Sequence, residues 1–142
     1  MNKLKVYLSG SVRNTEKDFQ SWRNHCQMLQ QNGFYENLNF VDPNEYFNYT
    51  NKLPKTDKQC LDLFMWQIDK CDVVLCNLDY SNISIGTSME VEHSHCHNIP
   101  IIGFGSKTET WYNWTKERCS IVFEDLEEAI EYLNNSYGKV VC

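Results

Sequence analysis

Short apolar runs alternate along this chain with stretches in which apolar residues recur at every third or fourth position. Asp72–Leu78 is the clearest run. It is apolar almost throughout, as expected for a central parallel strand with both faces covered. Phe19, Trp22, Cys26 and Leu29 have the spacing of one helix face. These patterns predict five strands: Lys3–Ser9, Phe34–Val41, Asp72–Leu78, Ile99–Phe104 and Ser120–Phe123.

The segments between the strands predict helices whose ends are marked by glycine, proline and polar residues. Asn44–Lys58 is polar and predicts an irregular loop that covers a site. Trp111–Arg118 is ambiguous, and the residues after Leu133 predict a loosely ordered tail. The alternation predicts a single α/β domain, residues 1–142, with a five-stranded parallel sheet and helices on both faces. The predicted helices are Thr15–Gln31, Asp57–Lys70, Ser88–His97 and Leu126–Leu133.

The composition argues against several classes of function. The chain has 142 residues and a formal net charge of -6, whereas a nucleic-acid polymer requires a basic face. No apolar run approaches the roughly 20 residues needed to cross a bilayer, and we expect no targeting segment before the first strand. The seven cysteines are odd in number and include no CxxC pair. They predict free thiols in a reducing, cytoplasmic compartment.

Polar residues and glycines follow two of the predicted strands. Glu90 comes after the strongest strand and Gly86, and we expect it in the first turn of a helix. In a parallel sheet this position is the crevice at the carboxyl ends of the strands, where ligands bind. A carboxylate there either complements the helix dipole or attacks an anomeric carbon to form a glycosyl-enzyme ester.

The turn after the first strand has features of a phosphate site. Gly10 permits close approach of the backbone, Ser11 offers a hydroxyl, and Arg13 is a bidentate phosphate partner. Together with Ser84 and Ser88 this turn predicts a cradle for a single phosphate. The full set that we assign to substrate or phosphate binding is Ser9, Gly10, Ser11, Val12, Arg13, Ser84, Gly86 and Ser88.

Five segments of the chain, in order, resemble the nucleoside 2-deoxyribosyltransferase superfamily. The resemblance implies a flavodoxin-like sheet with strand order 2-1-3-4-5 and cleavage of an N-glycosidic bond, with no metal or other cofactor. Glu90 matches the family's nucleophile and Tyr7 the tyrosine beside it. The matching segments are Tyr7–Arg13, Asp72–Val74, Ser84–Glu90, Asn98–Ile102 and Val122–Glu128.

One matched position points to a branch of the superfamily. Ser84 stands where the transferases have an aspartate, which is similar to the 5′-monophosphate N-glycosidases. The resemblance therefore implies a small nucleotide substrate cleaved by water into base and sugar phosphate. The alternatives are base exchange between free deoxynucleosides and a silent nucleotide-binding protein. Phe64 occupies the place of the family's acid, so Asp62 is either that acid, shifted by two residues, or a solvated helix residue.

Other residues are open to more than one interpretation. Glu90, His93 and His97 fall on one side of a helix and suggest a metal site, although the superfamily uses none. Asp42 follows the second strand and is a candidate for contact with the base or ribose. We expect a homodimer or larger homo-oligomer. Trp111, Tyr112 and Trp114 predict core packing, an oligomer contact or a cap over a neighbouring site, and Tyr46, Phe47 and Tyr49 either stack on a base or form ordinary surface loop.

Overall fold

The centre of the fold is a parallel sheet of five strands in the order β2-β1-β3-β4-β5. The computed structural model describes residues 3–11, 20–45, 56–81, 84–105 and 113–141. Residues 73–76 of the middle strand are completely buried because helices cover both faces of the sheet. The prediction of a flavodoxin-like α/β fold with this strand order is confirmed. The strands are β1 Leu4–Ser9, β2 Leu38–Val41, β3 Val73–Asn77, β4 Ile101–Phe104 and β5 Ile121–Phe123.

Helices pack on the two faces of the sheet and form two apolar clusters. One cluster lies between the sheet and α1 and α5, and the other lies between the sheet and α2 and α3. None of the helices in the described ranges has the length and apolar character that a bilayer crossing requires. The helices are α1 Ser21–Gln31, α2 Asp57–Asp69, α3 Ile85–Cys96, α4 Trp114–Glu117, α5 Leu126–Asn135 and α6 Tyr137–Val141, with a 3-10 turn at Pro43–Glu45.

The second strand is shorter than predicted. β2 begins at Leu38, four residues later than the apolar pattern indicated. Gly33 has a positive φ of 73°, and Phe34 is 67% exposed, so the chain is still turning there. The Leu38 amide then donates to the Tyr35 carbonyl at 3.1 Å and closes the turn. Pairing with β1 starts only after this turn, because the extended ladder needs a partner as well as apolar residues.

The helix that carries Glu90 begins three residues earlier than predicted. Ser84 is its N-cap, with the side chain accepting from the Thr87 amide, and α3 starts at Ile85. Glu90 therefore lies in the second turn, and the expectation of a first-turn acid was wrong. The helix dipole acts chiefly within the first turn, so other groups must stabilise a charge on Glu90.

The carboxyl-terminal tail is more ordered than predicted. α5 continues to Asn135, and α6 follows at once with Tyr137–Val141. The rings of Tyr132 and Tyr137 meet at 6.1 Å between centroids, and Leu133 is fully buried against the sheet. Aromatic packing onto the α5 face supplies the apolar contacts that local sequence did not reveal.

Candidate active site

Two neighbouring strands bring their ends together at one edge of the sheet. β1 and β3 are parallel partners, and Ser9 pairs in register with Cys76. The helix that follows β3 contacts both strands. Since ligands bind beyond the carboxyl ends of parallel strands, this edge is where a site is expected.

Glu90 reaches across this edge to the end of β1. The hydroxyl of Tyr7 donates to Oε2 of Glu90, and the hydroxyl of Ser9 donates to Oε1 at 3.0 Å. Tyr7 and Ser9 are two residues apart and point to the same face of the sheet, the face that α3 covers. Both donors are themselves completely buried. Each carboxylate oxygen thus accepts one bond and keeps a further lone pair.

The surroundings of Glu90 act on its charge in opposite directions. Burial raises the pKa of the Glu90 carboxyl, and this is the largest effect. The hydrogen bonds from Tyr7 and Ser9 and the charge of Arg23 lower the pKa of Glu90 and partly offset the burial. The carboxylate is therefore poorly hydrated yet held by two donors, an arrangement suited to a nucleophile.

Tyr7 keeps its proton at any physiological pH. Burial raises the pKa of Tyr7 well above its ordinary value, and the negative Glu90 raises it further. The phenol is consequently a fixed donor to the carboxylate. The sequence-based assignment of Tyr7 as the residue that orients Glu90 is consistent with this bond.

Arg23 is a component of the site that the sequence analysis missed. It is only 1% exposed, and its Nη2 donates to the carbonyl of Gly10 at 3.0 Å. Its Nε lies 3.8 Å from Oδ1 of Asp42. A signal was available, because Arg23 lies three residues before Cys26 on the apolar face of α1.

Asp42 is occupied by protein groups. It is 2% exposed, accepts from the Asn44 amide at 2.9 Å and is hydrogen-bonded by the side chain of Gln20. With Arg23 it forms a buried polar cluster behind the end of β1. Its role as a contact to base or ribose stays a prediction.

Gly10 lies in a tight space between two side chains. A Cβ atom there would lie 3.1 Å from Cβ of Asn77 and 3.1 Å from Cζ2 of Trp22. The bare backbone lets the turn pass between these two side chains. Ser11, the next residue, is buried at 6% exposure.

The three predicted phosphate residues on α3 surround its N-terminus. Ser84 Oγ donates to Oγ1 of Thr87 at 2.8 Å and accepts from the Thr87 amide at 3.3 Å. Ser88 Oγ donates to the Ser84 carbonyl at 2.9 Å and is exposed. Gly86 lies in the first turn, where a Cβ atom would meet nothing within 4 Å. The helix end is open to solvent at Gly86.

Asp62 lies on the exposed side of α2. Its side chain is 63% exposed and accepts from Nζ of Lys58 at 2.9 Å, one turn earlier. No hydrogen bond of the described residues joins it to Glu90, Tyr7 or Ser9. Its assignment as the acid stays a prediction.

Some candidates fall outside the described residues, and the structure removes one of the three interpretations of Trp114. Trp114 is 80% exposed, so it does not pack in a core, and an oligomer contact or a cap over a neighbouring site stays a prediction. Of the metal candidates, Glu90 turns away toward Tyr7 and Ser9, whereas His93 and His97 lie together near Asp69. The candidates outside the described residues are Val12, Arg13, Tyr46, Phe47, Tyr49, Trp111 and Tyr112.

Comparison with known protein families places this chain in one of them. A model of the nucleoside 2-deoxyribosyltransferase family matches residues 6–134. The chain belongs to this family, whose members are enzymes that act on nucleosides, and the enzyme class predicted from the sequence is confirmed at that level. A search of curated proteins found no match.

Solved structures share the fold at low sequence identity. A conserved protein from Enterococcus faecalis V583 superimposes with a TM-score of 0.69 at 16% identity, covering 90% of this chain and 94% of its own. A 2-deoxyribosyltransferase from Bacillus psychrosaccharolyticus gives 0.58 at 20% identity, with 90% and 91% covered. A 3-dehydroquinate dehydratase-like protein from Bifidobacterium longum gives 0.50 at 10% identity, with 100% and 99% covered. At these identities only the fold follows, since one scaffold hosts unrelated chemistries.

Proposed function

We propose that this protein cleaves the N-glycosidic bond of a nucleoside 5′-monophosphate and releases the base and (deoxy)ribose 5-phosphate. The observation that carries the proposal is the carboxylate of Glu90, held on both oxygens by the hydroxyls of Tyr7 and Ser9. Family membership supports chemistry at the glycosidic bond. Family membership does not specify the 5′-phosphate on the substrate or water as the attacking molecule, and the proposal adds both.

The reaction proceeds through a covalent intermediate. An oxygen of Glu90 forms a bond to C1′ while the bond from C1′ to the base nitrogen breaks, and the base leaves with the electron pair and a proton from an acid. Water then attacks C1′ of the ester, gives up a proton to a base, and releases Glu90 as a carboxylate. Tyr7 and Ser9 keep the carboxylate in one orientation throughout.

The phosphate is assigned to the N-terminus of α3. Backbone N–H groups at a helix start attract anions, and Gly86 leaves them accessible. Glu90 follows Gly86 by four residues, a rise of about 6 Å along the axis. This is the scale of the pentose that separates a 5′-phosphate from C1′. Ser84 contributes by fixing the helix start, and Arg13 is the expected cation.

Asp62 is the proposed acid. It lies seven residues before Asp69, and Asp69 contacts His93 of α3 at 2.8 Å. Residues seven apart lie within about 20° of one another around a helix, so Asp62 has nearly the angular position of Asp69, two turns nearer the start of α2. Its exposed pair with Lys58 is worth only about 0.3–0.5 kcal/mol and does not prevent reorientation toward a bound base.

The deciding experiment incubates the purified protein with nucleoside 5′-monophosphates and with the matching nucleosides. We expect free base from the monophosphates only, and a loss of at least about a thousandfold in Glu90→Ala. Asp62→Asn is expected to lose about 100-fold or more on natural bases but little on substrates whose leaving group needs no proton. Asp57→Asn, in the first turn of the same helix, is the matched control.

Two other outcomes would replace the proposal. Base exchange between free deoxynucleosides without attack on monophosphates would assign the protein to the transferases, as the family description suggests. Tight nucleotide binding without turnover would make it a silent binding protein. The exposed position of Asp62 and the presence of Phe64 at the expected acid position are the observations that favour this second alternative.

The proposal also includes a homo-oligomeric state and a cytoplasmic location. Large apolar side chains are exposed on three successive helices, with Trp66 at 57%, Ile85 at 79% and Trp114 at 80%. Such surface supports a homodimer or larger assembly. The six cysteines within the described ranges are free thiols, which supports a reducing cytoplasm.

A further inference from the structure

Three side chains of types that can bind metal ions converge where the end of α2 meets the end of α3. Asp69 ends α2, and His93 and His97 lie one turn apart at the end of α3. Their ligand atoms all lie within 4.8 Å of one another. Nε2 of His93 is 2.8 Å from Oδ1 of Asp69, and the two imidazole rings stack with centroids 4.0 Å apart.

The plainest explanation covers only two of these residues. His93 and Asp69 form an ion pair when the ring is protonated, and a histidine at a helix C-terminus complements the dipole. This account does not explain why the ring of His97 stacks on His93.

The hydrogen bonds fix the orientation of the His97 ring. Nδ1 of His97 lies 2.8 Å from the carbonyl oxygen of His93. A carbonyl only accepts, so Nδ1 carries the proton and the lone pair of the neutral ring is on Nε2. A backbone bond to the second ring nitrogen is the usual support of a metal-binding histidine.

We propose that Asp69, His93 and His97 bind a divalent transition-metal ion, zinc being the best match, and that the ion joins α2 to α3. Two imidazoles and a carboxylate are a common zinc set, with a fourth position left for water. The ion would lie between Nε2 of His93 and the Asp69 carboxylate, in place of their direct contact.

The distances suit such an ion with small adjustments. Ligand atoms bound at about 2.0–2.1 Å to a tetrahedral zinc lie about 3.3 Å apart. The contact between His93 and Asp69 therefore opens by about half an ångström, and His97 closes from within 4.8 Å. Asp69 is 43% exposed at its side chain and His93 19%, so solvent reaches the ion. The site is independent of the proposed glycosidase activity.

The test titrates the full-length protein with Zn²⁺ in a calorimeter and with Co²⁺ in a spectrophotometer. We expect one saturable ion per chain, and a cobalt spectrum without sulfur-to-metal charge transfer. His97→Ala and Asp69→Asn should each weaken binding by more than about tenfold, because even loss of an outer-shell partner costs 10- to 100-fold. His97 is exposed, so its removal leaves the fold intact, as circular dichroism can verify.

Matched variants separate this site from other ligands. His95→Ala is the control on the same helix, since His95 contacts Arg118 instead. Cys96→Ser and Cys60→Ser remove two thiols that are not fully buried, and both variants should bind as the wild type does. The absence of saturable binding to the wild type, equal binding in His97→Ala and Asp69→Asn, or loss of binding in a cysteine variant would each overturn the proposal.

Discussion

At the scale of single residues, the site depends on hydroxyl groups that hold a half-buried carboxylate. Glu90 accepts from Tyr7 and Ser9, and a hydrogen bond to a charged group contributes about 1.5–3 kcal/mol. The sequence analysis assigned Ser9 to substrate or phosphate binding, which stays a prediction, and the structure adds its hydrogen bond to Glu90. No local pattern reveals this contact, because the two residues are 81 positions apart.

Removing either hydroxyl should shift the pH dependence of the reaction. The nucleophile must be ionised, and the donors lower the pKa of Glu90, so Tyr7→Phe and Ser9→Ala raise that pKa. We expect the acid limb of kcat/KM against pH to move to higher pH, with a loss of about 10- to 100-fold near the original limb. Tyr35→Phe removes a similar tyrosine–glutamate bond, to Glu131 at 2.9 Å, and should leave the profile unchanged. An unmoved profile in both site variants would contradict the role given to the hydroxyls.

The ionised carboxylate of Glu90 should lower the free energy of unfolding at neutral pH. Burial holds the folded-state pKa of Glu90 above its unfolded value, so the folded protein binds more protons between the two values. Stability is therefore lost as the pH rises through the folded pKa. Glu90→Gln should raise the Tm at neutral pH, with the gain shrinking toward pH 4 and with activity abolished. Glu92→Gln, at an exposed pair with Arg118, is the control and should show little change. A lower Tm for Glu90→Gln at every pH would contradict this account.

At the scale of elements, the start of α3 is capped by a side chain, yet its backbone N–H groups stay accessible to a ligand. Ser84 caps the helix, and Gly86 occupies its first turn although glycine is a poor helix former. The sequence analysis placed Gly86 in the polar loop before the helix, which was predicted to begin at Ser88. The capping bond to Thr87 overrides that preference, and the glycine keeps the N–H groups uncovered.

Gly86→Ala should separate stability from phosphate binding. A Cβ atom meets nothing there, so we expect the free energy of unfolding to rise by about 0.5–1 kcal/mol. The added methyl group lies where a phosphate is expected to approach, so KM for a 5′-monophosphate should rise several-fold. The Kd of the unphosphorylated nucleoside, measured by calorimetry, should not change. Urea denaturation and steady-state kinetics on one preparation check both. An unchanged KM would remove the N-terminus of α3 from the phosphate site.

At the scale of the whole molecule, Arg23 joins parts of the chain that are distant in sequence. From α1 it reaches the turn after β1 through the Gly10 carbonyl and the end of β2 through Asp42. Burial lowers the pKa of Arg23, and the charges of Asp42 and Glu90 oppose that shift. The cation therefore compensates the acidic groups at this end of the sheet.

Arg23→Met should destabilise the fold strongly. It leaves Asp42 buried without its cation, which typically costs about 3–5 kcal/mol. Arg118→Met removes an exposed pair and should cost no more than about 1 kcal/mol. Chemical denaturation of the two variants checks the contrast. Equal losses would show that the Arg23–Asp42 contact, at 3.8 Å, contributes little.

The sequence alone determined the order of strands and helices and the candidate nucleophile. Alternating apolar runs and helical spacing fix elements locally, and the motif around Glu90 carries the family resemblance. Tertiary structure decided what local patterns do not encode. β2 begins only where it can pair with β1, and α6 is stabilised by its contacts with α5. The hydroxyl donors to Glu90 come from β1, more than 80 residues away in sequence. Those outcomes depend on contacts between distant segments, which exist only once the sheet has assembled.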